Sequence, residues 1–227
     1  MKVSVVQHQL REHVRMDLAA LLSAVQVAAD KGSRLSACPC VPGLEGNEHI
    51  ISAFRENVDH YAPGVSVVCP CLSVEDTGVL RSSHTPVGKT VVLIGDDCVD
   101  PELYESVAAS EPDALVWQFD SESSLQAEAL LEYALDCSLS LSGLILVAST
   151  VGAARGHEGH GGSAIVHMGE IVEEAGSGEE VLVADVDVSS LQPLEASRIP
   201  TLSPILTQRL DVHRGRRSAV DWPADLS

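Results

Sequence analysis

Three features of this 227-residue sequence predict an α/β fold in a single domain. Strand-like and helix-like segments alternate over the first two-thirds of the chain, which is typical of α/β architectures. Several strand-like segments then follow one another in the last third. Apolar residue types make up 45% of the chain, which is enough for a sizeable core and argues against disorder.

The first two-thirds begin with a buried strand over Val3–Gln7. A helix is predicted over Asp17–Lys31 from its apolar spacing, and Gly32 is placed to end it. The later segments alternate in the same way: a strand at Leu35–Cys38, a helix at Ile50–Asn57, strands at 65–69 and Val91–Ile94, a helix at Pro101–Ser110, a strand at Ala114–Gln118, a helix at Leu125–Ser138 and a strand at Gly143–Ser149.

Three consecutive strands are predicted in the last third, at Ser163–His167, Glu170–Glu173 and Val181–Val186, and Met168-Gly169 forms a hairpin turn between the first two. The segment 191–227 carries four prolines, at 193, 200, 204 and 223. We predict that it is a C-terminal tail that wraps over the surface of the single domain 1–227.

The formal net charge of −19 excludes classes of partner that need a basic surface. Phosphate backbones would be repelled, so nucleic-acid binding is not expected. No segment approaches the ~20 apolar residues of a membrane-spanning helix. The opening residues have no hydrophobic stretch of the signal-peptide type, so we expect a cytoplasmic protein.

Several stretches, in the correct order, resemble the carbon–nitrogen hydrolase (nitrilase) superfamily. The opening MKVSVVQ is similar to its first strand, and VLIGDDCVDPEL (92–103) resembles its nucleophile strand and turn, usually Cys-Tyr-Asp followed by Pro-Glu. Residues 159–191 resemble its glycine-serine strand, hairpin and following strand, and 197–213 its closing segment. The resemblance implies a four-layer α-β-β-α sandwich, usually dimerised through helices.

The resemblance also implies a Glu-Lys-Cys triad, in which cysteine attacks the carbonyl or nitrile carbon, glutamate handles the proton and lysine stabilises the oxyanion. Carried over residue by residue, all three positions are substituted. Cys40 stands at the glutamate position, after Pro39, and Gly95 at the nucleophile position. The lysine position matches Ser82, or Arg81 if the register slips by one.

Three neighbours are candidate substitutes for the triad: Cys98 as nucleophile, Arg81 for the oxyanion and Glu45 for the acid. Lys89 is excluded, because six strand residues place it ~20 Å from Gly95. An amide or nitrile hydrolase with Cys98 as its relocated nucleophile is therefore one hypothesis. Three acids close to Cys98 in the sequence discourage the thiolate that it needs.

Two Cys-Pro-Cys motifs suggest a second hypothesis, that of a metal-binding module. Cysteines two residues apart on a strand point to the same face, so each pair could offer two thiolates to one metal. A soft metal or an iron–sulfur cluster is the cofactor this would imply, and the candidate ligands are Cys38, Cys40, Cys69, Cys71 and Cys98. The alternative is that these cysteines are small core residues, as predicted for Cys137. His157 and His160 flank a glycine-rich segment predicted as a surface loop, with metal binding as the alternative.

The hypothesis that accounts for all three substitutions is a catalytically inactive nitrilase-fold protein. It predicts a structural or regulatory subunit, either a homo-oligomer such as a dimer or part of a hetero-oligomeric complex. No cofactor is required in this case.

Overall fold

The computed structural model describes residues 1–44, 47–69, 75–76, 81–191 and 200–220. The strands are β1 (Lys2–Gln9), β2 (Leu35–Ala37), β3 (Ser66–Val68), β4 (Glu75–Asp76), β5 (Arg81–Thr85), β6 (Gly88–Ile94), β7 (Ala114–Gln118), β8 (Leu144–Ala148), β9 (Thr150–Ala154), β10 (His157–His160), β11 (Ala164–His167), β12 (Glu170–Glu174) and β13 (Glu180–Asp185). The helices are α1 (Val14–Asp30), α2 (Glu48–Tyr61), α3 (Pro101–Ala109), α4 (Ser124–Cys137) and α5 (Pro204–Val220).

These strands form two sheets. The first has the order β10-β9-β1-β2-β3, with β13 also paired to β1, and the second has the order β12-β11-β8-β7-β6-β5-β4. Strands β6, β7 and β8 are parallel, as are β1, β2 and β3. Strand β12 is an edge of the second sheet, and its residues are exposed along its whole length.

Buried apolar side chains form three layers, which define the sandwich. One lies between α1, α2 and the first sheet and includes Leu21 and Phe54. The second lies between the sheets, around Val5 and Val116. The third lies between the second sheet and α3 and α4, around Trp117. This helix-sheet-sheet-helix arrangement confirms the predicted α-β-β-α fold.

Turn chemistry predicted from the sequence is confirmed at two places. Gly32 has a φ of +86° directly after α1, and its N–H bonds back to the Ala29 carbonyl at 2.8 Å, as in a glycine-ended helix. Met168 and Gly169 have φ of +51° and +82° between β11 and β12. Two positive φ values are the signature of the type I′ hairpin turn.

Two predictions for the remaining chain are corrected. The segment with His157 and His160 is the strand β10, which pairs with β9 through the turn Arg155-Gly156, rather than a surface loop. The segment after Leu191 is not only a wrapping tail, because Pro204 begins the 17-residue helix α5. Proline is tolerated in the first turn of a helix, where no backbone N–H is needed. None of the helices in the described ranges is long and apolar enough to cross a bilayer.

A buried ionic network lies at the carboxyl end of β1. His8 contacts Asp17 through Nε2 at 2.7 Å and Glu179 through Nδ1 at 3.1 Å. Arg155 lies 2.6 Å from the second Asp17 oxygen, and Arg11 donates to both Glu179 oxygens at 3.0 and 2.8 Å. Buried carboxylates need such partners, because an unpaired one would carry a large desolvation cost. The network therefore joins β1, α1, the β9–β10 turn and the start of β13.

The Glu179–Arg11 pair predicts how stability depends on pH. Partial burial by itself raises the pKa of Glu179, but the hydrogen bond and charge of Arg11 outweigh it and hold that pKa below its ordinary value near 4.5. The pair therefore stabilises the fold above that ordinary value, and the stabilisation is lost as pH falls through the folded-state pKa. We expect Glu179→Gln to lower the free energy of unfolding at neutral pH by up to about 1 kcal/mol.

Urea unfolding at neutral pH and in a series of more acidic buffers measures this effect. Glu174→Gln is the matched control, because Glu174 is exposed on β12 and should change stability little at any pH. A difference between Glu179→Gln and wild type that persists unchanged in acid would contradict the assignment.

Candidate functional site

The turn after β6 has the shape of a nucleophile elbow without a nucleophile. Gly95 has a φ of +58° and begins a 3₁₀ turn, Gly95–Val99, which leads into α3. Asp100 caps α3 by accepting a hydrogen bond from the Glu102 N–H at 3.0 Å. A Cβ added at Gly95 would meet no atom within 4 Å. The turn therefore has room for a side chain, and glycine supplies none.

Strand β5 places Ser82 and Arg81 away from this turn. It forms a hairpin with β6 in which Ser82 pairs with Val91 and Arg81 with Val92. Val91 precedes Gly95 by four residues, so Ser82 lies roughly 13 Å back along the strands. The structure therefore does not bring Ser82 or Arg81 to the turn: this segment is the hairpin that leads into β6, and the assignment to a lysine position stays a prediction.

Lys89 lies near the start of β6, at the far end from Gly95, as its spacing predicts. Its ammonium group donates to the Ser110 carbonyl at the end of α3, and its backbone N–H donates to Asp113 at 2.7 Å. Both contacts hold the side chain at that end of the sheet.

Cys98 is fully buried in the third core layer, together with Tyr104 and Trp117. Its Sγ donates to the Gln118 carbonyl at 3.7 Å. Burial raises the pKa of the Cys98 thiol well above its ordinary value, and the charge of Asp97 raises it further. A reactive cysteine needs the opposite conditions, an accessible site and a lowered pKa.

Of the two residues considered for the acid, the structure describes Cys40 but not Glu45. Cys40 follows β2 and is half-buried, and it carries a thiol where the resemblance to the nitrilase superfamily implies a carboxylate. Glu45, the candidate substitute, lies outside the described residues.

The candidate metal ligands fall into separate layers. Cys38 and Cys69 are buried beneath α1 and α2, where the Cys69 Sγ donates to the Pro39 carbonyl at 3.2 Å. Cys98 belongs to the layer beneath α3 and α4, so the structure does not bring it to the other two. Cys71 lies outside the described residues. Among the residues that the structure does describe, no three His, Cys, Asp or Glu side chains are arranged to hold a metal ion.

Gln118 is a buried polar residue beside the elbow that the sequence analysis did not single out. It pairs with Ile94, the residue before Gly95, and it is 4% exposed. Alternation along β7 puts it on the face of Ala114 and Val116, which line the layer between the sheets. Within the described part of the chain, its Oε1 has no hydrogen-bond partner. The sequence feature that indicates Gln118 is a single polar residue at the end of an otherwise apolar strand, ALVWQ.

The chain is similar to known proteins in its three-dimensional structure and not in its sequence. No protein-family model and no curated protein matches the sequence. A mutant of the amidase from Nesterenkonia AN1, of the nitrilase superfamily, matches with a TM-score of 0.66 and 16% identity, over 95% of this chain and 97% of that one. The chain has the nitrilase-superfamily fold.

Further structures of the Nesterenkonia amidase agree. One matches with a TM-score of 0.63 and 17% identity over 95% of this chain and 96% of the amidase. Another, with a TM-score of 0.67 and 16% identity over the same shares, shows the acetamide moiety of fluoroacetamide added covalently at its active-site cysteine. That cysteine chemistry belongs to the amidase. At 16% identity, the similarity between the amidase and the present chain is one of fold.

The burial of Cys98 predicts an unreactive thiol. We expect iodoacetamide to leave Cys98 unmodified in the native protein and to modify it fully after unfolding in urea, because only the unfolded chain exposes the thiolate. Half-buried Cys40 is the internal reference and should react first. Peptide mass mapping measures both, and modification of native Cys98 at the rate of Cys40 would show that the thiol is accessible.

Proposed function

We propose that this chain is a catalytically inactive member of the nitrilase superfamily that acts as a structural or regulatory subunit of an oligomeric assembly. The observation that carries the proposal is Gly95 at the turn where a nucleophile would stand. Covalent hydrolysis of an amide or nitrile needs an activated nucleophile at that point, and a glycine has no atom that can attack.

The surroundings of Gly95 support the same conclusion. Catalytic triads act as a unit, so the loss of one member typically removes several orders of magnitude of rate. Here Cys40 carries a thiol at the expected acid position, and the β5–β6 register keeps Ser82 and Arg81 away from the turn. Cys98, the candidate substitute nucleophile, is fully buried in the apolar layer between the second sheet and helices α3 and α4.

A subunit role is supported by the outer helical layers. Leu125 on α4 is 63% exposed, and Met16 on α1 and Tyr61 on α2 are 54% and 52% exposed. Burial of such side chains against a partner would remove apolar surface from water, which favours association.

The first test of inactivity uses the open space at Gly95. We expect wild type to hydrolyse neither acetamide nor acrylamide. Gly95→Cys should add one thiol that iodoacetamide modifies in the native protein, yet restore no hydrolysis, because the acid and the lysine are still missing. Gly64→Cys is the matched control, since Gly64 also has a positive φ and open space around its Cβ position.

Intact mass before and after labelling, with ammonia release as the activity assay, gives both readouts. Hydrolysis by wild type that disappears in Cys98→Ser would overturn the proposal and favour the relocated nucleophile.

The second test is native mass spectrometry of the protein purified anaerobically from its own source. We expect the mass of a homodimer or of a hetero-oligomer, because the exposed apolar side chains on the outer helices would be covered there. A monomer at micromolar concentration would contradict the subunit role. Additional mass from metal or sulfide would instead favour the cysteine site.

A further inference from the structure

A cavity of about 410 Å³ lies between α5 and the start of α4, next to the 3₁₀ turn that follows β6. Its walls come from α5, the start of α4 with the residue Glu122 before it, and Asp96 of the 3₁₀ turn, and none of them belongs to the apolar layer between the sheets. Its lining combines one cation, two carboxylates, two amides and two apolar side chains: Arg209, Asp96, Glu122, Gln126, Gln208, Ile205 and Val212.

Arg209 is held rigidly in this wall. Its Nε donates to Asp96 at 2.6 Å, and its Nη1 donates to the Asp120 carbonyl at 2.9 Å and to Gln126 at 3.0 Å. The guanidinium also stacks on the Phe119 ring, 4.1 Å from its centroid. Its Nη2 makes no hydrogen bond to any described residue. A fixed guanidinium with one nitrogen to spare is well suited to bind a carboxylate, since its ordering cost is already met.

Gln126 supplies a second donor beside it. Its Oε1 already accepts from Arg209 and from the Glu122 backbone N–H at 3.0 Å. These two bonds fix the orientation of the amide, so that its Nε2 is the free end among the described residues. Nη2 of Arg209 and Nε2 of Gln126 therefore offer two hydrogen-bond donors to the oxygens of one ligand.

The rest of the lining sets the charge and size of the ligand. Asp96 balances the charge of Arg209, which is the one cation among the described residues that line the cavity. The exposed Glu122 adds a second negative charge, which no other cation in this described lining offsets. A ligand with a second anionic group would be repelled, while an ammonium group would be attracted. Ile205 and Val212 give an apolar wall for a short aliphatic group.

We propose that this cavity binds a small zwitterion, an α-amino acid with an apolar side chain. The carboxylate lies against Arg209 and Gln126, the ammonium group against Glu122, and the aliphatic side chain against Ile205 and Val212. This site goes beyond the proposed function and does not depend on it, since a ligand can bind here whether or not the turn at Gly95 is inactive.

Calorimetry on the full chain, with L-leucine, L-leucinamide and N-acetyl-L-leucine as probes, tests the site. We expect L-leucine to bind and the other two, which each lack one charge, to bind about tenfold more weakly or worse. Glu122→Gln should weaken L-leucine by a similar factor and leave N-acetyl-L-leucine unchanged. Glu128→Gln, a change at an exposed position on α4 outside the cavity, should leave all three unchanged.

Three results would overturn the proposal. The first is that wild type shows no heat of binding in calorimetry, and no chemical-shift change in NMR spectra, when L-leucine is added to millimolar concentration. The second is binding of L-leucinamide as tight as that of L-leucine, which would mean that the carboxylate is not recognised. The third is an equal loss of L-leucine binding in Glu122→Gln and Glu128→Gln, since that would point to a site elsewhere. Circular dichroism of both variants confirms that they fold.

Discussion

The apolar layer between the two sheets is the constraint on which the rest of this structure depends. Strands β1, β7 and β8 are buried on both faces, so their side chains alternate between this layer and a helical layer. On β7, Val116 points between the sheets and Trp117 towards the helices. A slip of one residue would exchange the two sets, so the pairing register is strongly specified. That register fixes where each strand ends, and with it the position of every turn at the edge of the sandwich.

The turn at Gly95 keeps its shape without any contribution from a side chain at that position. The shape is held by the β6–β7 register and by the Asp100 cap on α3, and neither needs a nucleophile. A residue with a side chain would be strained at a φ of +58°, whereas glycine adopts it readily. Glycine at this point is therefore unstrained, whereas any other residue would have to be held there by the surrounding fold.

Patterns within single segments predicted the strongly apolar strands, the first four helices and the β11–β12 turn. Strand β5 was missed because RSSHT is polar and is held by its hairpin with β6, and β9 and β10 because their residues are small or glycine-rich. Helix α5 was obscured by the prolines around it. The sequence identified Gly95 through its flanking motif, but not Arg209, which meets Asp96 across 113 positions. Contacts of that kind arise only when the layers assemble.

Edge strand β12 has a consequence for how copies of this protein meet. An exposed edge carries unpaired N–H and carbonyl groups, and it is a ready template for aggregation through strand pairing. Here the edge carries Glu170, Glu173 and Glu174, all exposed. Two such edges brought together would set carboxylates against carboxylates, so the acidic strand protects the sheet from growing from one molecule into the next. The acidic edge thus disfavours growth of the sheet by strand pairing between molecules.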